Sequence, residues 1–113
     1  MDFSQLSDFE INKRVAKSIY SVSFVEPLSR TVSVSGGKRL FDPCNNPADA
    51  WPIIVDNDIS LNSYGSAWEA SFEHDAPIGA YGTDETVTSG YEHRNPLRAA
   101  MIAFLMKLEH ANA

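Results

Sequence analysis

The sequence contains one cysteine, no long apolar run and no basic residue in its middle. Cys44 has no second cysteine to pair with, which excludes an internal disulfide and suits a reducing compartment. The longest apolar stretch, residues 97–108, is interrupted by Arg98 and Lys107 and is too short to span a bilayer. The first ten residues lack the basic and apolar regions of a signal peptide. We therefore expect neither a membrane partner nor a leader.

The charge is unevenly distributed along the chain. Residues 41–93 contain ten acidic residues and no lysine or arginine, and the formal net charge is −6. Binding of duplex DNA normally needs a basic face that displaces counterions. The composition therefore predicts that DNA is not the partner, whereas an acidic middle suits a basic protein surface or the mimicry of nucleic acid.

Local patterns predict an α+β fold in a single domain that spans residues 1–113 and buries its own core. Ser7 and Glu10 have the spacing of a capping box, which predicts a helix over about residues 8–19. Alternation of polar and apolar residues predicts short antiparallel strands at residues 20–24, 31–34, 39–41, 59–61 and 68–72.

Two Asn-Pro pairs predict the beginnings of two further helices, because Asn is a good N-cap and Pro is favoured at the first helical position. Asn46 begins a central helix, short or kinked at Pro52, whose apolar stripe includes Trp51. Asn95 begins a helix that is apolar on most faces, which predicts burial under another element or a homo-oligomer through this C-terminal helix. Residues 75–92 contain three glycines and are expected to form a long loop or an irregular hairpin.

Three segments of the chain resemble the phage NinX family. They are SQLSDFEIN at residues 4–12, CNNPADAWPIIV at 44–55, and NPLRAAMI at 95–102 with its continuation through residues 104–106. The order of the helices is more loosely similar to phage alpha-beta-alpha sandwich domains. This similarity implies a small antiparallel sheet with about three helices, N-terminal, central and C-terminal, packed as an α-β-α sandwich.

The resemblance also implies a phage accessory protein that acts in the host cytoplasm. The family implies no particular activity. Small phage accessory proteins often blunt host defences, either by sequestering a nucleotide signal or by gripping a defence protein. Either role is one of binding.

No catalytic or metal-binding pattern emerges from the residues themselves. The three histidines are far apart, and none has a ligand at helical or finger spacing, so we expect no metal and no cofactor. Cys44 is better explained as a small residue packed before a helix than as a nucleophile. Asp42 and Asp49 could act as an acid–base pair. Asp49, however, occupies the first turn of its helix, where a carboxylate favours the helix dipole. We therefore expect a protein that is not an enzyme.

Binding residues are predicted around the two Asn-Pro helix starts. Free backbone N–H groups at a helix start attract an anion or phosphate, amides pair with a base edge, and aromatic rings stack on a base. Several of these residues also have plainer explanations: Asn46 as a cap, Trp51 as core, and Arg98 as a side chain that snorkels or pairs with an acid. The predicted ligand-binding set is Phe41, Asp42, Asn45, Asn46, Trp51, Tyr91, His93, Arg94 and Arg98.

Two functions follow from these observations. The first is a non-catalytic protein that binds and sequesters a small nucleotide-type immune signal of the host, at an oligomer interface. The second is an acidic adaptor or inhibitor that binds a host defence protein through the acidic middle and the glycine-rich loop. Association of the second kind should weaken with salt.

Overall fold

A computed structural model of the chain describes residues 1–77 and 84–111. A short 3₁₀ turn at Phe3–Gln5 precedes the first helix. The helices are α1 (Asp8–Ile19), α2 (Pro47–Asp56) and α3 (Pro96–Ala111). The strands are β1 (Phe24–Glu26), β2 (Thr31–Val34), β3 (Arg39–Leu40), β4 (Ser60–Ser63), β5 (Trp68–Pro77) and β6 (Asp84–His93).

The first helix has the bounds that the capping box predicts. Ser7 Oγ accepts a hydrogen bond from the Glu10 backbone N–H at 3.2 Å, and α1 begins at the next residue after Ser7. The strand predicted from residue 20 begins instead at Phe24. The reason is local. The Tyr20 N–H still donates to the Ala16 carbonyl oxygen at 2.8 Å, so Tyr20 is the C-cap of α1 and not a strand residue.

The six strands form two antiparallel sheets, the N-terminal sheet (β1–β2–β3) and the C-terminal sheet (β4–β5–β6). Of the two alternatives predicted for residues 75–92, the long loop is wrong, whereas the hairpin agrees with the antiparallel pairing of β5 and β6. β5 and β6 pair without interruption from Trp68↔His93 to Pro77↔Asp84. Gly90 lies within this ladder opposite Ser71, so it does not interrupt the strand. Gly79 and Gly82 lie outside the described residues.

Helix α3 is the centre of the core. Eight consecutive residues, Arg98–Leu105, are buried, which confirms the predicted burial of this helix. One side of α3 packs on the C-terminal sheet, and the other side packs on α1 and α2. The apolar surface that suggested an oligomer is therefore covered within one chain. The oligomer itself stays a prediction.

Helix α2 buries a different stripe from the predicted one. Asn46 Oδ1 caps the helix by accepting from the Ala48 N–H at 3.0 Å, as expected. Ala50, Ile53 and Ile54 face the core, whereas Trp51 is 60% exposed and Val55 is also exposed. The assignment of Trp51 to the core was wrong, because positions i, i+3 and i+4 from Ala50 share the one face that packs on α3.

The α+β class and the three helices are confirmed. The strands form two sheets and not the one small sheet that the looser similarity implied: α1 packs on α3 and on β2 of the N-terminal sheet, and α3 packs on the C-terminal sheet. No described helix has the length and apolar character needed to cross a membrane.

Candidate functional site

A cavity of about 370 Å³ opens where the beginning of α1 meets β2, β3 and the segment before α2. Its walls combine carboxylates, amides, one guanidinium and apolar side chains. They are Ser7, Asp8, Phe9, Asn12, Arg30, Thr31, Val32, Leu40, Phe41, Asp42 and Asn45. We call this cavity the Asp8–Asp42 pocket.

Two carboxylates and two amides form a hydrogen-bonded cluster in this pocket. The buried Asn12 donates from Nδ2 to Asp42 Oδ1 at 2.7 Å. Asn45 Nδ2 lies 3.2 Å from both Asp8 Oδ2 and Asp42 Oδ1, so a single amide bridges the two carboxylates. A carboxylate offers about four lone-pair positions. Both carboxylates therefore keep acceptor capacity on the pocket side.

Arg98 forms an ion pair with Asp8. Its guanidinium donates to Asp8 Oδ1 at 2.7 Å and to the Leu6 carbonyl at 2.6 Å, with a longer contact of 3.4 Å to the Ser4 carbonyl. Arg98 is only 8% exposed. Its donors are thus engaged within the chain, where they fix the approach to α1 and orient the Asp8 carboxylate toward Asn45.

Asn95 connects the beginning of α3 to the same cluster. Asn95 Oδ1 caps the helix by accepting from the Leu97 N–H at 2.9 Å. Its Nδ2 donates to the Cys44 carbonyl at 2.7 Å, and the Cys44 N–H donates to Asn12 Oδ1 at 3.1 Å. The caps and buried amides therefore join the beginnings of α1 and α3 and the segment before α2, which are remote in sequence.

Burial decides the chemistry of Cys44. Desolvation raises the pKa of the Cys44 thiol well above its ordinary range, and the charge of Asp8 raises it further. Arg98 opposes this rise, and Asp42 adds a smaller one. A nucleophilic cysteine requires a lowered pKa. The plainer interpretation of Cys44, as a packed small residue, fits this environment.

Asp49 is neutralised by a partner that sequence reasoning missed. Arg39 donates to Asp49 Oδ1 at 2.6 Å, and the hydrogen bond raises the pKa of Arg39. Asp49 Oδ2 accepts from the Asp42 backbone N–H at 2.9 Å. The Asp49 side chain is only 2% exposed, and its hydrogen bonds fix the segment before α2.

Arg30 lies at the rim of the pocket. Its guanidinium donates to Ser7 Oγ at 2.9 Å and lies 5.1 Å from the centroid of the Phe9 ring. A cation over an aromatic face is attracted by the ring quadrupole. Arg30 has a positive φ of 55° and lies in the turn between β1 and β2.

The nine predicted binding residues do not converge on one cleft. Those that line the pocket are Phe41, Asp42 and Asn45. Phe41 is nonetheless only 2% exposed and packs edge-on against Tyr20 at 5.4 Å between ring centroids, so it is not free to stack on a base. The others lie behind the pocket or elsewhere: Arg98 beneath Asp8, Asn46 as the α2 cap, Trp51 on the exposed side of α2, Tyr91 and His93 on β6, and Arg94 exposed after β6.

Sequence reasoning also missed Asp8, Asn12 and Arg30. A usable signal existed for Asn12, since it follows Ile11 on the apolar side of α1, and a buried amide requires hydrogen-bond partners. Asp8 was interpreted only as part of a helix beginning. No pattern in the sequence indicates that Arg30 reaches Phe9.

The family model described as Bacteriophage P22, NinX matches residues 2–108 of the chain. No curated protein matches the sequence. The matched range contains both sheets and every residue that lines the Asp8–Asp42 pocket.

Proposed function

Because the chain belongs to the phage family described as Bacteriophage P22, NinX, we propose that it is an accessory protein that works by binding, without catalysis, in the cytoplasm of the infected host. The partner we propose is a host protein that inserts a lysine or arginine side chain into the Asp8–Asp42 pocket. One observation carries the proposal: Asn45 bridges two carboxylates that both line this cavity.

The hydrogen-bonding capacity of the pocket supports a donor-rich ligand. The carboxylates of Asp8 and Asp42 only accept hydrogen bonds when ionised, and lysine and arginine side chains only donate them. An arginine fork matches a carboxylate with two parallel hydrogen bonds, which adds geometric specificity. Ten acidic residues without a basic one over residues 41–93 would also attract a basic partner at long range.

A nucleotide-type immune signal is the second candidate, and Arg30 is the observation that favours it. A guanidinium at the rim of the pocket could hold a phosphate while the amino edge of a base donates to Asp42. The adaptor function ranks first because neither arginine predicted from the sequence lines the pocket. Arg98 is buried and donates to Asp8 and to backbone carbonyls, and Arg94 is exposed elsewhere.

Amide chemical-shift titration of the ¹⁵N-labelled chain tests the choice. The probe is the capped tripeptide Gly-Arg-Gly, and the matched probe replaces arginine with citrulline, which is isosteric and neutral. We expect shifts at residues 8–12 and 42–45 with the arginine peptide and at least tenfold weaker binding of the citrulline peptide. Asp42→Asn should weaken arginine binding at least tenfold, about 1.4 kcal/mol, whereas Asp56→Asn on exposed α2 serves as the matched control.

The same titration separates the two functions. Equal binding of the citrulline and arginine peptides, or no shifts near the pocket, would refute the adaptor proposal. A panel of cyclic and linear nucleotides follows as the second set of probes. Binding of a nucleotide that Arg30→Ala abolishes would make the nucleotide signal the better-supported function.

A further inference from the structure

Strand β6 leaves one long edge open. It is the last strand in the order β4–β5–β6, and among the described residues its outer edge pairs with no strand. The pairing of β6 with β5 runs through ten consecutive residue pairs. In an edge strand, alternate N–H and C=O groups point outward and form a template for another strand.

Several of the usual protections of a sheet edge are missing from β6. Natural edge strands are blunted by lysine, proline, bulges or shortness. Residues 84–93 contain no lysine and no proline, and the register with β5 has no bulge. The free edges of β1, β3 and β4 belong to strands of only three, two and four residues. Of the four outer strands described, β6 is therefore the one suited to pairing with another chain.

The acidic side chains on one face of the C-terminal sheet indicate what kind of strand would pair with β6. Glu69 and Glu92 are direct cross-strand partners on the face turned away from α3, and Glu73 and Asp75 lie on the same face of β5. Like charges placed opposite one another destabilise a sheet. No lysine or arginine occurs in β4, β5 or β6. A basic added strand would relieve this repulsion, whereas a second copy of the chain would increase it.

We propose that β6 accepts an extended, lysine- or arginine-rich segment of a partner protein as a fourth strand of the C-terminal sheet. Main-chain hydrogen bonds would supply the affinity, and basic side chains beside Thr88 and Glu92 would supply the specificity. The inference goes beyond the pocket function and does not require it, because no described residue of β6 lines the Asp8–Asp42 pocket.

Amide hydrogen exchange of the full chain tests the proposal. The probe is a capped peptide that alternates lysine with valine or threonine over eight residues. We expect at least tenfold slower exchange of amides in residues 86–93 when the peptide is bound. Two control peptides have the same sequence: one carries backbone N-methyl groups on its lysines, and the other carries them on the remaining residues. Since alternate N–H groups of a strand point to the same side, one of these peptides cannot donate hydrogen bonds to β6. That peptide should lose the protection although its charge is unchanged.

A matched pair of variants checks the location. Thr88→Lys puts a positive charge on β6, and Asn62→Lys puts the same charge on exposed β4 at the opposite side of the sheet. We expect peptide binding at least fivefold weaker for T88K than for N62K. Equal effects, or protection that both N-methylated peptides retain, would overturn the proposal.

One further outcome is decisive. A dimer in sedimentation equilibrium without peptide, with β6 amides already protected, would assign the edge to a second copy and overturn the basic-segment proposal. Failure of the tripeptide titration would leave the present test intact, because that titration reports on residues 8–12 and 42–45 and this one on residues 86–93.

Discussion

Replacing Arg98 with methionine keeps a long apolar stem in α3 and removes the guanidinium that supports Asp8. The variant loses the 2.7 Å hydrogen bond to Asp8 Oδ1 and the 2.6 Å hydrogen bond to the Leu6 carbonyl. The Leu6 carbonyl then has to find another donor at the approach to α1. We therefore expect a lower free energy of unfolding, since Arg98 stabilises the fold whether or not a ligand is present.

The magnitude follows from burial. A hydrogen bond to a charged group contributes about 1.5–3 kcal/mol, and breaking a buried ion pair by removing one partner costs about 3–5 kcal/mol. The Arg98 side chain is 10% exposed, but the Asp8 side chain is 41% exposed and regains water when the pair is broken. The expected loss therefore lies at the lower end, about 3 kcal/mol.

Urea unfolding monitored by circular dichroism measures this loss, provided that the slope against denaturant stays constant. The matched control is Arg94→Met, because Arg94 is exposed and lies two residues before the first residue of α3. We expect the control to stay within about 0.5 kcal/mol of the unmodified chain. An Arg98→Met chain within about 1 kcal/mol of the control would refute the structural role assigned to Arg98.

Three other predictions concern Gly90, Cys44 and Tyr64. Gly90→Ala should lower the free energy of unfolding by about 1–3 kcal/mol, because its Cβ would lie 2.6 Å from the Ala70 carbonyl oxygen; urea unfolding measures this. Cys44 should resist alkylation by iodoacetamide until the chain unfolds, because burial raises the thiol pKa; mass spectrometry across a urea series measures this. The negative charge of Glu69 raises the pKa of Tyr64, so Glu69→Gln should lower that pKa, as followed by tyrosinate absorbance. Since the Tyr64 pKa is raised in the folded chain, its contribution to stability is present below the ordinary tyrosine pKa of about 10 and is lost as pH rises through the folded value.

Each of these results has a clear opposite. An unchanged urea midpoint for Gly90→Ala would mean that β5 and β6 can move apart near Gly90 with no loss in the free energy of unfolding. Alkylation of Cys44 at the same rate with and without urea would contradict its burial. Identical tyrosinate titrations of the Glu69→Gln and unmodified chains would show that Glu69 exerts no effective field at Tyr64.

Residues close in sequence explain why helix beginnings were predictable. The Ser7 hydroxyl and the Asn46 and Asn95 amides each satisfy backbone N–H groups two or three residues ahead, so the whole interaction lies inside a short motif. The β5–β6 ladder was not predictable in the same way. Its pairs join residues up to 25 positions apart, from Trp68 to His93, and glycines near the turn resembled those of a loop.

The Asp8–Asp42 pocket likewise combines residues that were predictable from short motifs with residues that were not. Asp42 and Asn45 were predicted as binding residues because they precede a helix, and they do line the cavity. Asp8, Asn12 and Arg30 join them only through contacts across 23 to 37 positions of sequence, such as the Asn45–Asp8 and Arg30–Ser7 hydrogen bonds. Short motifs carry no information about which distant side chains will meet.

By itself, the sequence determined the family resemblance, the α+β class, the beginnings of the three helices, and an acidic middle that suits a basic partner. Those properties depend on composition and on interactions within a few residues. Only the tertiary structure decided that Arg98 supports Asp8 within the fold, that Trp51 faces outward, that two carboxylates share one amide, and that β6 has an open edge. Each of these depends on how α1, α3 and the strands pack together, and packing brings together residues that no local pattern connects.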